Sequence, residues 1–313
     1  MAKPRILVAG ASVVNFLLRS KSVPGIGEKH ITNHPYSFVP GGRGLISAIS
    51  SARLDSDVVF STCVGNDFNG DFLKSVFLNN KIDQRFVVTD KKKMTALDTI
   101  IYDNSGDSRV ISHPGAAAVL SEENIEEAFM SYPDFFLLHS ELNDSLVYEA
   151  ISIANKKNVP VLFDPAGIDI DDIDYDALGE IEIFTPNAEE AYQISKIMPG
   201  DVESCLHACI RIINRIKCHY VVIKLGAKGC FVFDGVYSEV IPAFDTNEVD
   251  RRGAGAVFNA GLASMLLKTN DIIKSSVFAN AASALCVSSQ GEFSSIPENK
   301  TVLDFIDKNK ISF

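Results

Sequence analysis

No stretch of this 313-residue chain is long and apolar enough to cross a bilayer. Its apolar runs, such as 6–9 and 135–138, fall far short of the ~20 residues that a spanning helix needs. The opening MAKPRILVAG passes straight into a strand-like run, with neither a hydrophobic leader nor a small-residue cleavage site, so a cytoplasmic location is expected. Basic residues are in deficit: 29 Lys and Arg against 40 Asp and Glu give a formal net charge of −11. That balance argues against nucleic acid or an anionic membrane as partner, one local basic site aside. The six cysteines (Cys63, Cys205, Cys209, Cys218, Cys230 and Cys286) form no CxxC pair and are expected to be reduced. Cys205 and Cys209 could share a metal from one helix, but no His or Cys set completes such a site. Burial as small hydrophobes is the expectation. There is no internal repeat and no low-complexity linker.

What is present is globular: 46% apolar and 22% charged residues, enough for one large α/β domain with at most a small appendage. Residues 6–9, 58–63, 135–139, 161–164, 183–185 and 220–224 are apolar at consecutive positions, as in parallel strands covered on both faces. Amphipathic segments at 44–54, 70–79, 121–130, 145–156, 188–197 and 203–215 alternate with them, and 257–267 is a further apolar helix. This order predicts βαβ units and a doubly wound, mostly parallel sheet flanked by helices. Residues 13–40 and 95–113 break the rhythm and read as hairpins, the second turning at 103–107. They predict a small β-sheet lid at 13–40 and 91–115, outside a main domain at 1–12, 41–90 and 116–313.

Four short segments could carry chemistry. Gly41-Gly42-Arg43-Gly44 precedes a helix and permits close backbone approach to a ligand, or is simply a turn. Asp250-Arg251-Arg252-Gly253-Ala254-Gly255-Ala256 opens another helix, where small residues expose N–H donors at the positive end of the dipole. Lys224 to Gly229 is a turn between strands. Thr185-Pro186-Asn187 with Glu190 enters a helix, and an Asn187–Glu190 capping box explains it as well as a ligand does.

In this order the segments resemble the ribokinase-like, or phosphofructokinase-B, carbohydrate kinases, from about Arg5 to Pro297. The first signature is carried by residues 41–44 with Ala48, Ala52-Arg53-Leu54 and Val64-Gly65-Asn66-Asp67-Phe68-Asn69-Gly70. The second is carried by residues 250–256 with Phe258-Asn259-Ala260-Gly261. Asn187, Glu190, the 222–229 turn, the helix around Asn280 and Gly291 match the nucleotide side. Asp164-Pro165-Ala166 and Glu141 also have counterparts.

The resemblance implies transfer of the γ-phosphoryl of ATP, with Mg²⁺, to a hydroxymethyl group of a sugar, nucleoside or related small molecule. It implies a β lid that often pairs subunits into a homodimer. It places Asn15, Gly41, Gly42, Arg43 and Glu141 against the substrate, and Asn187, Glu190, Lys224, Gly226, Gly229 and Asn280 against the nucleotide. Gly253, Ala254 and Gly255 would form the anion hole. Asp250, Gly291 and Ser295 match positions near a monovalent cation, such as K⁺, that some members need.

The sequence departs from the pattern where chemistry is done. The family's general-base Asp is Ala256, which has no proton acceptor, and a positioned base contributes roughly 10²–10⁴-fold. Val13 and Asn15 replace a sugar-holding N-x-D. Arg43, Leu45 and Ile46 replace the Lys, Ala and Asn of GGKGAN; Gly115-Ala116-Ala117 replaces GAN; and Arg251 and Arg252 replace two Thr. Two readings follow: an impaired ATP-dependent sugar or nucleoside kinase, or a pseudokinase that binds a nucleotide or sugar phosphate. Arg252 either contacts a phosphate or pairs with a carboxylate or solvent. His139, at the end of a strand, is either a ligand contact or a satisfied histidine. The acidic stretch 169–176 lacks the Gly and closing Glu of a calcium loop and reads as solvated. Lys91, Lys92 and Lys93 read as a solvated turn.

Overall fold

The computed structural model describes residues 3–104, 107–142, 144–167 and 173–309. The chain opens with β1 (Arg5–Ala9), buried from Ile6 onward, then β2 (Val13–Arg19), β3 (Ser37–Gly41) and α1 (Arg43–Arg53). Next come β4 (Asp57–Gly65), α2 (Phe68–Asn79), β5 (Val87–Asp90), β6 (Ala96–Tyr102) and β7 (Ser108–His113). The middle holds α3 (Glu122–Ala128), β8 (Phe135–His139), α4 (Asp144–Lys156), β9 (Val161–Asp164), β10 (Ile181–Phe184), α5 (Ala188–Ser195) and α6 (Val202–Ile213). It closes with β11 (Cys218–Lys224), β12 (Cys230–Phe233), β13 (Ser238–Ile241), α7 (Ala254–Thr269), α8 (Ile272–Val287) and α9 (Asn299–Lys308).

Among the described residues the main sheet has nine strands in the order β13-β12-β11-β10-β9-β8-β1-β4-β5. All six strands expected from consecutive apolar residues form, and they pair in parallel. The order reverses between β1 and β8, the switch point where open α/β sheets bind ligands at their carboxyl edge. β12 and β13 extend the sheet antiparallel. Phe60, Phe136, Phe163, Phe184 and Phe231 are among the fully buried side chains on these strands.

Helix starts follow local chemistry. Asp67 accepts from the Gly70 N–H at 2.8 Å to cap α2. Ser121 with Asn124, and Asp201 with Ser204, form reciprocal capping boxes on α3 and α6. α7 and α8 are buried over most of their length, so neither shows an apolar stripe on a polar helix. β1 meets α1 backbone to backbone: a Cβ added to Gly44 would lie 2.6 Å from Gly10 Cα.

The second sheet, β3-β2-β6-β7, is the separate small sheet expected from 13–40 and 91–115. Two antiparallel hairpins meet along a parallel β2–β6 pair. Phe16, Tyr36 and Phe38 cluster on it, with the Phe16 and Phe38 ring centroids 5.0 Å apart. β7 is exposed throughout. Residues 105–106 of its turn, and 169–172 of the acidic stretch, lie outside the described residues. Asp174, from the described part of that stretch, accepts the backbone N–H groups of Asp176 and Ala177 as an ordinary turn does.

Candidate functional site

The site gathers at the carboxyl edge of the main sheet, around the start of α7. Gly253 caps this 16-residue helix at φ 78°, with no side-chain cap and no acid in the first turn. The backbone N–H groups of Gly255 and Ala256 therefore open on the positive end of the helix, a geometry suited to an anion, while the Ala254 N–H bonds the Arg251 carbonyl at 3.3 Å. A cation stands by: Lys224 Nζ lies 3.8 Å from where a Cβ on Gly255 would be. Ala256 is buried, and its carbonyl accepts the Ser47 hydroxyl at 3.3 Å.

Below this turn lies a buried polar stack that sequence reasoning did not assemble. Lys224 Nζ donates to Asp164 Oδ2 at 3.0 Å, and Asn259 Nδ2 donates to the same oxygen at 2.6 Å. Asp164 Oδ1 accepts the Ala166 N–H. Burial alone would raise the Asp164 carboxyl, but Lys224, His139 and the Ala166 N–H hold it below the usual carboxylate range. His139 is the registered partner of Asp164 across β8 and β9. Its ring is fully buried, with Nε2 2.7 Å from Ser47 Oγ. Its Nδ1, 3.6 Å from Asp164 Oδ2, is too far for a hydrogen bond. Burial pushes the imidazole down to about 4, against the pull of Asp164, so His139 is neutral at pH 7.

On the nucleotide side expected from the resemblance, Asn187 and Glu190 form the reciprocal box: Glu190 N–H to Asn187 Oδ1 at 2.9 Å, and Asn187 N–H to Glu190 Oε2 at 2.7 Å. Burial raises the Glu190 carboxyl, with Lys224 opposing. The box engages only Oε2 of Glu190. Among the described residues no three His, Cys, Asp or Glu side chains form a metal cage. A magnesium ion here would rest on one or two carboxylates and the phosphates it accompanies, and this donor set fits that arrangement. A cleft of about 680 Å³ runs beside α7 and α8, lined by Gly226, Ala243, Phe244, Ala254, Asn280 and Ser283 among others. Gly229 sits at φ 95° with Ile241 O where a Cβ would be, and Asn280 Nδ2 ties the Ile241 and Pro242 carbonyls.

On the opposite side Glu141 grips the start of α1, accepting the Arg43 N–H at 2.9 Å and the Gly44 N–H at 3.2 Å. Arg43 also donates to the Ala166 carbonyl. Burial raises the Glu141 carboxyl despite these donors. Asn15 is buried against Gly41, where any Cβ would meet its amide. Gly42 links β3 to α1 at φ 93°. A pocket of about 320 Å³ between lid and body is lined by Val13, Asp98, His113 and Glu141. Asp98 and His113 come from the lid strands and carried no signal in the sequence beyond their place in an expected hairpin.

Arg252 turns to a carboxylate. Its Nε and Nη2 donate to Asp250 Oδ1 and Oδ2 at 3.0 and 2.6 Å, and Nη1 donates to the Tyr102 hydroxyl of β6. Arg251 pairs with Glu248 on the surface. Glu292, unremarked in the sequence, places its Cγ 2.9 Å from the missing Cβ of Gly253. Burial pushes its carboxyl up to about 7; Glu141 and Asp250 add to the rise, and Arg252 and Arg43 oppose it. The cysteines are free and mostly buried, and burial raises the Cys205 and Cys209 thiols, which fits the small-hydrophobe reading. Lys92 and Lys93 donate backbone N–H groups to Asp90 in an exposed turn.

A mostly parallel sheet with a four-stranded cover and an unblocked helix start at the switch point is the frame of a ribokinase-like kinase. The sequence model of the pfkB family carbohydrate kinases matches residues 3–299, and the chain belongs to that family. It is 32% identical over 279 residues to a ribokinase of Haemophilus influenzae, covering 88% of this chain and 90% of that one. A ribokinase of Mus musculus is 28% identical, covering 94% and 92%. Among solved structures, a Thermotoga maritima ribokinase superposes with a TM-score of 0.84 at 28% identity, covering 96% and 99%. The Arabidopsis thaliana ribokinase complexed with ribose and ATP superposes with a TM-score of 0.87 at 24% identity over the whole of both chains.

Proposed function

We propose that the protein binds Mg·ATP along the Asn280–Gly226 cleft and acts as an ATP-dependent kinase of a sugar or nucleoside alcohol. Turnover is held low by the methyl group at position 256. The observation that carries this reading is the open start of α7 with Lys224 beside Gly255. It offers backbone N–H groups and one ammonium to a phosphoryl group between the nucleotide cleft and the Glu141 pocket. Phosphoryl transfer needs little beyond positioning and charge stabilisation, which these groups supply without a base. Asn187 and Glu190 face the metal that accompanies the phosphates, and Asn15, Gly41, Gly42, Arg43 and Glu141 face the acceptor. The ribokinase names of the relatives favour a pentose-sized acceptor.

A second reading is a pseudokinase that binds a nucleotide or sugar phosphate without turnover. It is favoured by Ala256, which is buried and has no proton acceptor. Exposed Phe38, Val110 and Ile111 on the lid support a homodimer through that sheet, which sedimentation would test.

The deciding experiment is calorimetric titration with Mg·ATP, then ADP release over a panel of sugars and nucleosides, for the native chain and Ala256→Asp. On the kinase reading, ATP binds and Ala256→Asp raises turnover on one compound by roughly 10²–10⁴-fold. Binding without turnover in either form selects the pseudokinase; no ATP binding at all overturns both nucleotide assignments.

A further inference from the structure

The residues that match a monovalent-cation site do not fit a cation in this chain. Such an ion needs several oxygens turned toward it and not already spent on donors. Asp250 Oδ1 accepts the Arg252 N–H at 3.1 Å and Arg252 Nε at 3.0 Å. Asp250 Oδ2 accepts Arg252 Nη2 at 2.6 Å and the Gly291 N–H at 3.1 Å. The Gly291 carbonyl accepts the Ser295 N–H at 3.0 Å and the Ser294 hydroxyl at 3.3 Å. The Ser295 hydroxyl lies 3.2 Å from Cys286 Sγ and donates to the Glu292 carbonyl at 3.4 Å. Both Asp250 oxygens and the Gly291 carbonyl are thus already committed to protein donors, and the Ser295 hydroxyl is turned to Cys286 and Glu292.

A positive charge is nevertheless built in. The Arg252 guanidinium forks onto Asp250, lies 5.4 Å from the Tyr102 ring centroid, and faces Glu292. Without it, Asp250 and Glu292 would present two carboxyls to the start of α7, where an anion is to bind.

We propose that Arg252 is the resident cation of this site, so that nucleotide binding and fold stability are indifferent to K⁺. The inference rests on the reading of the α7 start as a phosphate site. A guanidinium stays charged at every working pH and holds a carboxylate bidentately, so it supplies permanently what an exchangeable ion supplies only when bound.

The test compares KCl with tetramethylammonium chloride at equal ionic strength. Two readouts are used, melting temperature without nucleotide and Mg·ATP affinity, on the native chain, Arg252→Thr and Arg252→Lys. The native chain is expected to give the same melting temperature and affinity in both salts. Arg252→Thr should bind ATP about tenfold more weakly in tetramethylammonium and regain affinity and melting temperature in KCl. Arg252→Lys, which keeps the charge without the fork, should fall between them. A native chain that KCl specifically stabilises or tightens overturns the proposal, as does an Arg252→Thr protein that is blind to the cation. If no form binds ATP, the kinase reading has failed, and the melting temperatures alone decide the role of Arg252. If Arg252→Thr does not fold, the native chain and Arg252→Lys still decide it.

Discussion

The Lys224 ammonium and the Asp164 carboxylate meet at 3.0 Å with side-chain exposures of 14% and 3%, a nearly dry ion pair under the start of α7. Lys224→Met strands Asp164 as a buried charge, and breaking such a pair from one side costs about 3–5 kcal/mol. Urea unfolding should show a loss of that size. Lys224→Met with Asp164→Asn should recover most of the stability but not the ATP affinity, because the ammonium near Gly255 is still gone. A double variant that regained ATP affinity would contradict the role given to Lys224.

His139 sets a pH dependence. Its native pKa is depressed to about 4 by burial, while an unfolded histidine titrates near 6.5. Between these values only the unfolded chain takes up the proton, so stability falls as pH drops from about 6.5 to about 4. The full loss is on the order of 3 kcal/mol. Asp164 titrates below this window. Melting temperatures across pH 4–8 should fall more steeply for the native chain than for His139→Gln; parallel curves would refute the assignment.

Glu292 acts in the opposite direction. Its native carboxyl is pushed up to about 7 against an ordinary 4.5, so holding it there costs stability increasingly as pH rises from about 4.5 through 7. Glu292→Gln should raise the melting temperature at pH 8 and leave it nearly unchanged below pH 4.5. A gain that is equal at both pH values would point to packing instead.

Strands buried on both faces betrayed themselves in the sequence, because β1, β4, β8, β9, β10 and β11 each contain adjacent apolar residues, although Glu182 interrupts β10 and Ser61 and Thr62 interrupt β4. Asn187 and Glu190 were equally legible, since a capping box has a fixed spacing. The Asp164–Lys224–His139 stack was not. β10 lies between β9 and β11, and Lys224 reaches Asp164 only because β10 stops at Phe184 and the Lys224 N–H bonds Pro186 instead. That registration is tertiary and leaves no spacing to read. Glu292 was hidden for the same reason: its approach to Gly253 depends on how the loop after α8 folds back over α7. The partners of Arg252 were hidden likewise: Tyr102 comes from a strand 150 residues away in the chain, and no spacing announces it.

Gly42 is the sole residue between β3 of the lid and α1 of the body, and a Cβ there would meet the Ala11 carbonyl at 2.7 Å. A joint one residue long has little slack. The small sheet also crosses to the body at 10–12, 91–95 and 114. The crossing at Gly42 differs in running straight into the Arg43 and Gly44 amides that Glu141 holds. The grip of Glu141 therefore sits one residue from the edge of the small sheet, and that closeness is part of what fixes where the sheet stands over the body.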